Sequence, residues 1–206
     1  MNVRRRLDRI GRALVHARFG IKTVALAYAI GVFAGLLLAH GGNSFALGFR
    51  DRLVGNSKQN STILRQAQKG RWVAAASLDA GSNAAAGLLS GIAGVCLPVG
   101  YWVAGYRGWV FGVVSVNNLH QSRLNTRYGA LYYITILLLQ LVPYTLIGGA
   151  GVNLGIAIFA RPARTGYEGR RVRWLHIPFE AIEDAGWIYL IALPMFAVAS
   201  LFEFAM

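Results

Sequence analysis

The 206-residue chain is 55% hydrophobic and only 14% charged, with a mean hydropathy of +0.45, whereas soluble domains carry roughly 25% charged residues; an ordinary soluble enzyme is excluded. Twenty-one Lys and Arg against eight Asp and Glu give a net charge of +13, but the cations flank apolar runs, a placement suited to anionic headgroups and not to nucleic acid. The single cysteine, Cys96, lies inside an apolar run and rules out an internal disulfide or a cysteine-based metal site.

At about 20 apolar residues per span, this length holds four to six membrane segments and no extramembrane catalytic domain. Residues 1–20 carry Arg4, Arg5, Arg6, Arg9, Arg12 and Arg18, with Val3, Leu7, Ile10, Leu14 and Val15 at helical spacing. This pattern predicts a basic amphipathic helix in the headgroup layer, ahead of a single transmembrane domain over 21–206. The run 21–40 is the first span; it is longer than a signal-peptide core and lacks a clear cleavage site, so it is read as retained. Residues 41–72 are polar and basic (Arg50, Arg52, Lys58, Arg65, Lys69 and Arg71), and Asn60-Ser61 is a candidate helix cap. First-span dominance of the positive-inside rule places the N-terminus in the cytoplasm.

Residues 73–105 read as one long span, interrupted by Asp79, Ser82 and Asn83 and kinked near Pro98. The pieces 109–116 and 131–142 are too short to cross and read as half-helices or re-entrant segments. Residues 144–160 complete a crossing, either joined through Pro143 to the preceding piece or separate from it. A basic connector, 161–173, precedes a last helix over 178–206 with Pro178 in its first turn and a kink at Pro194. The predicted fold is an all-α polytopic bundle of about five membrane segments, some broken or re-entrant.

Four small-xxx-small pairs occur in the spans: Gly31 with Gly35, Gly87 with Gly91, Gly108 with Gly112, and Gly151 with Gly155. They predict close helix packing, within the bundle or between copies in a homo-oligomer. Asp79, Asn83, Gln140, Asn153 and Glu203 are the intramembrane polar candidates. They read either as an ion or substrate path or as interhelical hydrogen bonds and interfacial groups, and Asp79, Asn153 and Glu203 are expected to lie apart. Glu180 and Asp184 share a face beside Glu183, a spacing open to a divalent cation or acid-base work but read as dipole-complementing, Arg-paired carboxylates. His16, His40 and His120 read as solvated interfacial groups. Trp72, Trp102, Trp109, Trp174 and Trp187, with Tyr132, Tyr133 and Tyr167, read as an aromatic belt. No HExxH, P-loop, GxGxxG or Ser-His-Asp pattern is present, so no catalytic residue, metal or cofactor is expected.

From about Asn83 onward the order of features resembles the integral-membrane family named after stage II sporulation protein M. An Asn opens a Gly-rich span (Asn83, Gly87, Gly91, Gly94) and is followed by the small half-helix 108–112. An apolar run then ends in Pro143, Gly148 to Gly151 and Gly155 follow, and a terminal helix carries Pro194 and Glu203. Where the family has Asn-Gly this chain has Arg107-Gly108, and where it has Pro-His-Gly and a following Glu this chain has Pro143-Tyr144-Thr145 without an acid. The resemblance implies a polytopic, non-enzymatic protein working within a membrane assembly. The expected function is therefore a scaffold or accessory subunit of the cell membrane, multi-pass, with anionic lipid and other membrane proteins as partners; the alternative is a small permease with a polar path between broken helices.

Overall fold

The computed structural model describes residues 3–159 and 179–205. Among them the helices in chain order are α1 (Val3–His16), α2 (Arg18–His40), α3 (Ser44–Asn60), α4 (Thr62–Gln68), α5 (Trp72–Val95), α6 (Leu97–Val113), α7 (Arg127–Phe159) and α8 (Phe179–Ala205). A loop with a 3-10 turn at Arg123–Asn125 joins α6 to α7, and no strand occurs among the described residues. The chain is all-helical, and α2, α7 and α8 are long and apolar enough to cross a membrane, which marks it as a membrane protein. The side chains of Arg4 and Lys58, together with Tyr167, Trp174 and the 161–173 connector, fall outside what is described.

Helix directions follow from which residues meet. Gly91 and Gly155 sit on Gly151 and Val95, so α5 and α7 run the same way. Tyr28 meets Gly108 and Gly35 meets Gly112, so α2 and α6 run the same way as each other. Gly20 against Gly149 and Tyr28 against Tyr144 set α2 antiparallel to α7. Phe196 on Gly87 with Tyr189 on Gly91 sets α8 antiparallel to α5, and Phe196 on Tyr144 with Glu203 on Gln140 sets it antiparallel to α7. One end of the bundle therefore holds α1, Cys96 and the start of α8, and the other holds α3, α4, the α6–α7 loop and the end of α8.

Several boundaries differ from the sequence reading. The first helix stops at His16, Ala17 forms the joint, and Arg18 already belongs to α2. The single span expected over 73–105 is instead a helical hairpin: α5 ends before Cys96, whose backbone is extended, and α6 starts with Pro98 in its first turn. Proline is well placed there because a first-turn residue has no helical acceptor for its missing N–H. Gly100 against Gly94 keeps the hairpin tight, with Cα of Gly94 2.7 Å from where a Gly100 Cβ would stand. Residues 109–116 are not a half-helix; most of them form the last turns of α6. The two pieces around Pro143 are joined, one of the two alternatives open from sequence, in a helix of 33 residues, and α8 is continuous through Pro194. Of the Asn60-Ser61 cap, Ser61 does the capping, its Oγ accepting from the Leu64 N–H at 3.3 Å.

The helix seams are made of small residues that let backbones touch, around a core of Tyr28, Tyr144, Ile147 and Phe196. A Cβ on Gly31 would collide with the Gly105 carbonyl oxygen and stand 2.8 Å from Trp109 N; one on Gly151 would collide with the Gly91 carbonyl oxygen. Gly35 and Gly112 face each other across α2–α6, Gly108 lies on Tyr28 O, and a Cβ on Gly87 would stand 2.8 Å from the Phe196 ring. All eight glycines of the four sequence pairs are thus occupied inside the chain. Beneath α1 the contacts are again small: Ala13 and Ala17 are fully buried, while Leu7 and Val15 are 63% and 58% exposed.

Candidate functional site

The middle of the bundle is polar on one side. Arg107 on α6 places its guanidinium 4.1 Å from the centroid of the Tyr144 ring, a cation–π contact. Tyr144 OH donates to Asn83 Oδ1 at 2.8 Å, and Asn83 Nδ2 donates to Asp79 Oδ2 at 2.8 Å, across one turn of α5. Ser200 Oγ on α8 donates to the same Asp79 oxygen at 2.7 Å. One turn further along α8, Glu203 Oε2 accepts from Gln140 Nε2 at 3.0 Å, and the Glu203 backbone carbonyl accepts from Tyr132 OH at 3.3 Å. Ser200 and Glu203, three apart on α8, lie about 5–6 Å from each other at Cβ, so their partners Asp79 and Gln140 meet α8 on neighbouring turns. No ion pair within 4.0 Å reaches either carboxylate among the described residues. Tyr28, buried at the top of this ladder, has a hydroxyl without a hydrogen-bond partner in the range of the Arg107 charge.

The foot of the ladder opens into a cavity of about 480 Å³ whose walls include Gln140, Glu203, Arg123, Tyr132, Tyr133 and Phe111, with residues of α3 and α4 over it. Its head is closed. Beyond Tyr144, Gly91 and Gly94 press on Ile147, Gly148 and Gly151, and Ile147, Val152 and Ile188 are fully inaccessible. The polar ladder therefore runs from one end of the bundle to its middle and stops at a glycine-packed plug.

This geometry corrects one expectation and keeps part of another. Asp79 and Glu203 do not lie apart: they belong to one end, joined through Ser200 on the same face of α8, and Asp79 sits two turns inside α5 and not at its tip. Asn153 does lie apart, at the opposite end, where it lines a separate cavity of about 350 Å³ with His16, Arg18 and Asp184. Tyr132 and Tyr133 line the cavity at the foot of the ladder, Tyr133 donating to Phe111 O at 2.7 Å.

The two ends are clasped by charge. Arg9 Nη1 donates to Glu183 Oε1 at 2.6 Å, Trp187 Nε1 donates to the same oxygen, and His16 Nδ1 lies 2.8 Å from Asp184 Oδ2. Glu183 and Asp184 are thus paired with α1, Glu180 in the first turn of α8 is not, and no cluster suited to a metal ion occurs among the described residues. At the far end Arg50, only 2% exposed, donates to Asn118 Oδ1 at 2.7 Å and to Asp51 Oδ1 at 2.9 Å. His120 meets Asp51 Oδ2 at 2.9 Å, and His40 meets Ser122 Oγ at 2.8 Å. The Arg50 hydrogen bond, then that of His120, holds the Asp51 carboxyl below its ordinary range. His16, His40 and His120 are all exposed, as expected, and each is hydrogen-bonded as well: His16 to Asp184 of α8, and His40 and His120 because the α6–α7 loop folds back over α2 and α3.

Arg107, Tyr144, Ser200 and Arg123 were not singled out from sequence. For Arg107 a signal existed: it is the sole Lys or Arg between Arg71 and Arg123, and an isolated cation in a long apolar stretch marks a group that needs a partner. No family model matches the chain, and no curated protein or solved structure matches it either.

Proposed function

We propose that this chain is a multi-pass permease, or the membrane subunit of one, of the cell membrane, with α2, α5, α6, α7 and α8 as its membrane segments and no enzymatic step. Helix α5 is long enough to cross but carries Asp79 and Asn83, and α6 has only 17 residues, about 25 Å at 1.5 Å each. Both nonetheless pack along the three apolar helices, so their polar atoms face the bundle interior, the placement that intramembrane carboxylates require. One observation carries the reading: a ladder of hydrogen-bonded polar side chains leads from a 480 Å³ vestibule to the middle of the bundle and ends at a plug. Carboxylates and amides aligned in this way are the usual marking of a substrate or ion route. With the N-terminus in the cytoplasm, the vestibule opens to the opposite face. Helix α1 turns Leu7 and Val15 away from the bundle, which supports its role as an interfacial helix on anionic lipid.

Thiol accessibility tests this reading. In a Cys96→Ser background, Gln140→Cys is expected to react quickly with a membrane-impermeant thiol reagent from one face only. Ile147→Cys, inside the plug, is expected to react slowly but completely, because a permease must open its closed side. If the folded Ile147→Cys protein stays inert from both faces, the path is a dead end and the permease reading fails.

The second reading, a scaffold or accessory subunit kindred to the stage II sporulation protein M family, is favoured by an apolar groove of about 620 Å³ at α2, α3 and α6. Phe45, Phe49, Trp102, Tyr106 and Trp109 line it. It ranks second because the glycine faces meant to receive partners are already filled within the chain.

A further inference from the structure

The vestibule has a composition that selects its occupant. It contains one carboxylate, Glu203, and one guanidinium, Arg123, with Tyr132 on the same wall donating its hydroxyl to the Glu203 backbone carbonyl. The two do not pair with each other, and the Arg123 side chain has no hydrogen bond among the described residues. Glu203 receives a single side-chain donor, the Gln140 amide, on one of its two oxygens. A carboxylate accepts up to about four hydrogen bonds, so it retains capacity toward the cavity. Between these poles the wall is apolar: Leu53, Val54, Leu64, Ile136 and Leu137. The volume, about 480 Å³, lies in the range of small-molecule sites.

A simple organic anion meets Glu203 there and a simple organic cation meets Arg123, so each pays a repulsion that a molecule bearing both charges avoids. A sugar or other neutral polyol leaves the aliphatic wall without a partner. We propose that the vestibule binds an apolar α-amino acid, its ammonium on Glu203 and Gln140, its carboxylate on Arg123, and its side chain against Ile136, Leu137 and Val54. The binding step is independent of passage through the plug; only the purpose of the site rests on the permease reading.

The test is equilibrium binding of radiolabelled L-leucine to the full-length protein in lipid nanodiscs, with three competitors. Leucinamide lacks the carboxylate, 4-methylpentanoate lacks the ammonium, and glycine lacks the apolar body; each is expected to compete at least about tenfold more weakly than leucine, the first two by the size of one lost charge-assisted hydrogen bond and glycine by the size of one unburied leucine side chain. Glu203→Gln is expected to weaken leucine and narrow the gap to 4-methylpentanoate, and Arg123→Gln to weaken leucine and narrow the gap to leucinamide. Leu137→Trp, which fills the cavity and touches neither charge, is expected to abolish binding, and it keeps the test decisive if a charge variant does not fold. Absence of saturable leucine binding to the folded protein overturns the proposal, as does equal competition by leucine, its amide and the acid, or binding that survives Leu137→Trp. Leucine binding with an inert Ile147→Cys keeps the site and removes the permease; a reactive Ile147→Cys without leucine binding does the reverse.

Discussion

Substituting glycine by alanine should change stability in opposite directions at two classes of position. At Gly31 an added methyl would collide with the Gly105 carbonyl oxygen and stand 2.8 Å from Trp109 N and 3.0 Å from Gly105 C. All three atoms are backbone of α6, so no side chain can swing aside and the helices must separate. A retreat on the order of 1 Å forfeits a quarter to a half of the dispersion well for each contact along the seam, and overpacking of this kind costs about 1–3 kcal/mol. At Gly81 and Gly186 nothing lies within 4 Å of the new methyl and both residues are helical. There alanine gains helix propensity of up to about 1 kcal/mol. For a chain of this size 1 kcal/mol corresponds to about 2–4 °C in Tm. Gly31→Ala should therefore lower the unfolding temperature in detergent by about 2–12 °C, and Gly186→Ala should raise it by up to about 4 °C. Thermal unfolding followed by intrinsic tryptophan fluorescence reads both. If the two variants move in the same direction, backbone contact between α2 and α6 is not what the glycines provide.

Arg50→Ala should destabilise the far end of the bundle by about 1.5–3 kcal/mol, the scale of hydrogen bonds made by a charged group, because it strips partners from Asn118 and Asp51; chemical denaturation measures it. The Asp51 carboxyl titrates below its unfolded value, so its contribution to holding the α6–α7 loop is complete above the ordinary carboxylate range and is lost as pH falls through the lowered folded value. Hydrogen exchange of the 116–123 amides should accelerate across that acidic window, and Asp51→Asn should remove this dependence. Arg9→Gln breaks a pair whose members are 44% and 56% exposed, so it should shift stability by less than about 1 kcal/mol. The same change should measurably reduce vesicle binding at high anionic-lipid content, because a surface cation contributes about 1 kcal/mol there; binding that is independent of both salt and arginine would contradict an interfacial α1.

Much of the helical layout was legible because apolar runs and helical periodicity are local properties. The start of α8 and the Ser61 cap follow from residues a few positions apart, as does the Asp79–Asn83 contact, which is an i, i+4 pair on one helix, whereas the Arg9–Glu183 pair joins residues 174 positions apart. Proline was the weak indicator. Pro98 stands at a true chain reversal whereas Pro143 and Pro194 lie inside continuous helices, since a proline in a first turn and one in a helix buttressed by neighbours differ only in what surrounds them.

The vestibule and ladder were decided by the tertiary structure alone. Gly35 meets Gly112 and Gly91 meets Gly151 because helix direction and register bring those backbones into contact. That same register carries Ser200 to Asp79, Gln140 to Glu203 and Tyr144 to Asn83, linking residues 121, 63 and 61 positions apart. A glycine pair states that two helices can approach; it does not state which two. The period of a helix records the face on which a polar residue lies, but its partner on another helix is chosen by packing, and packing leaves no period in the chain.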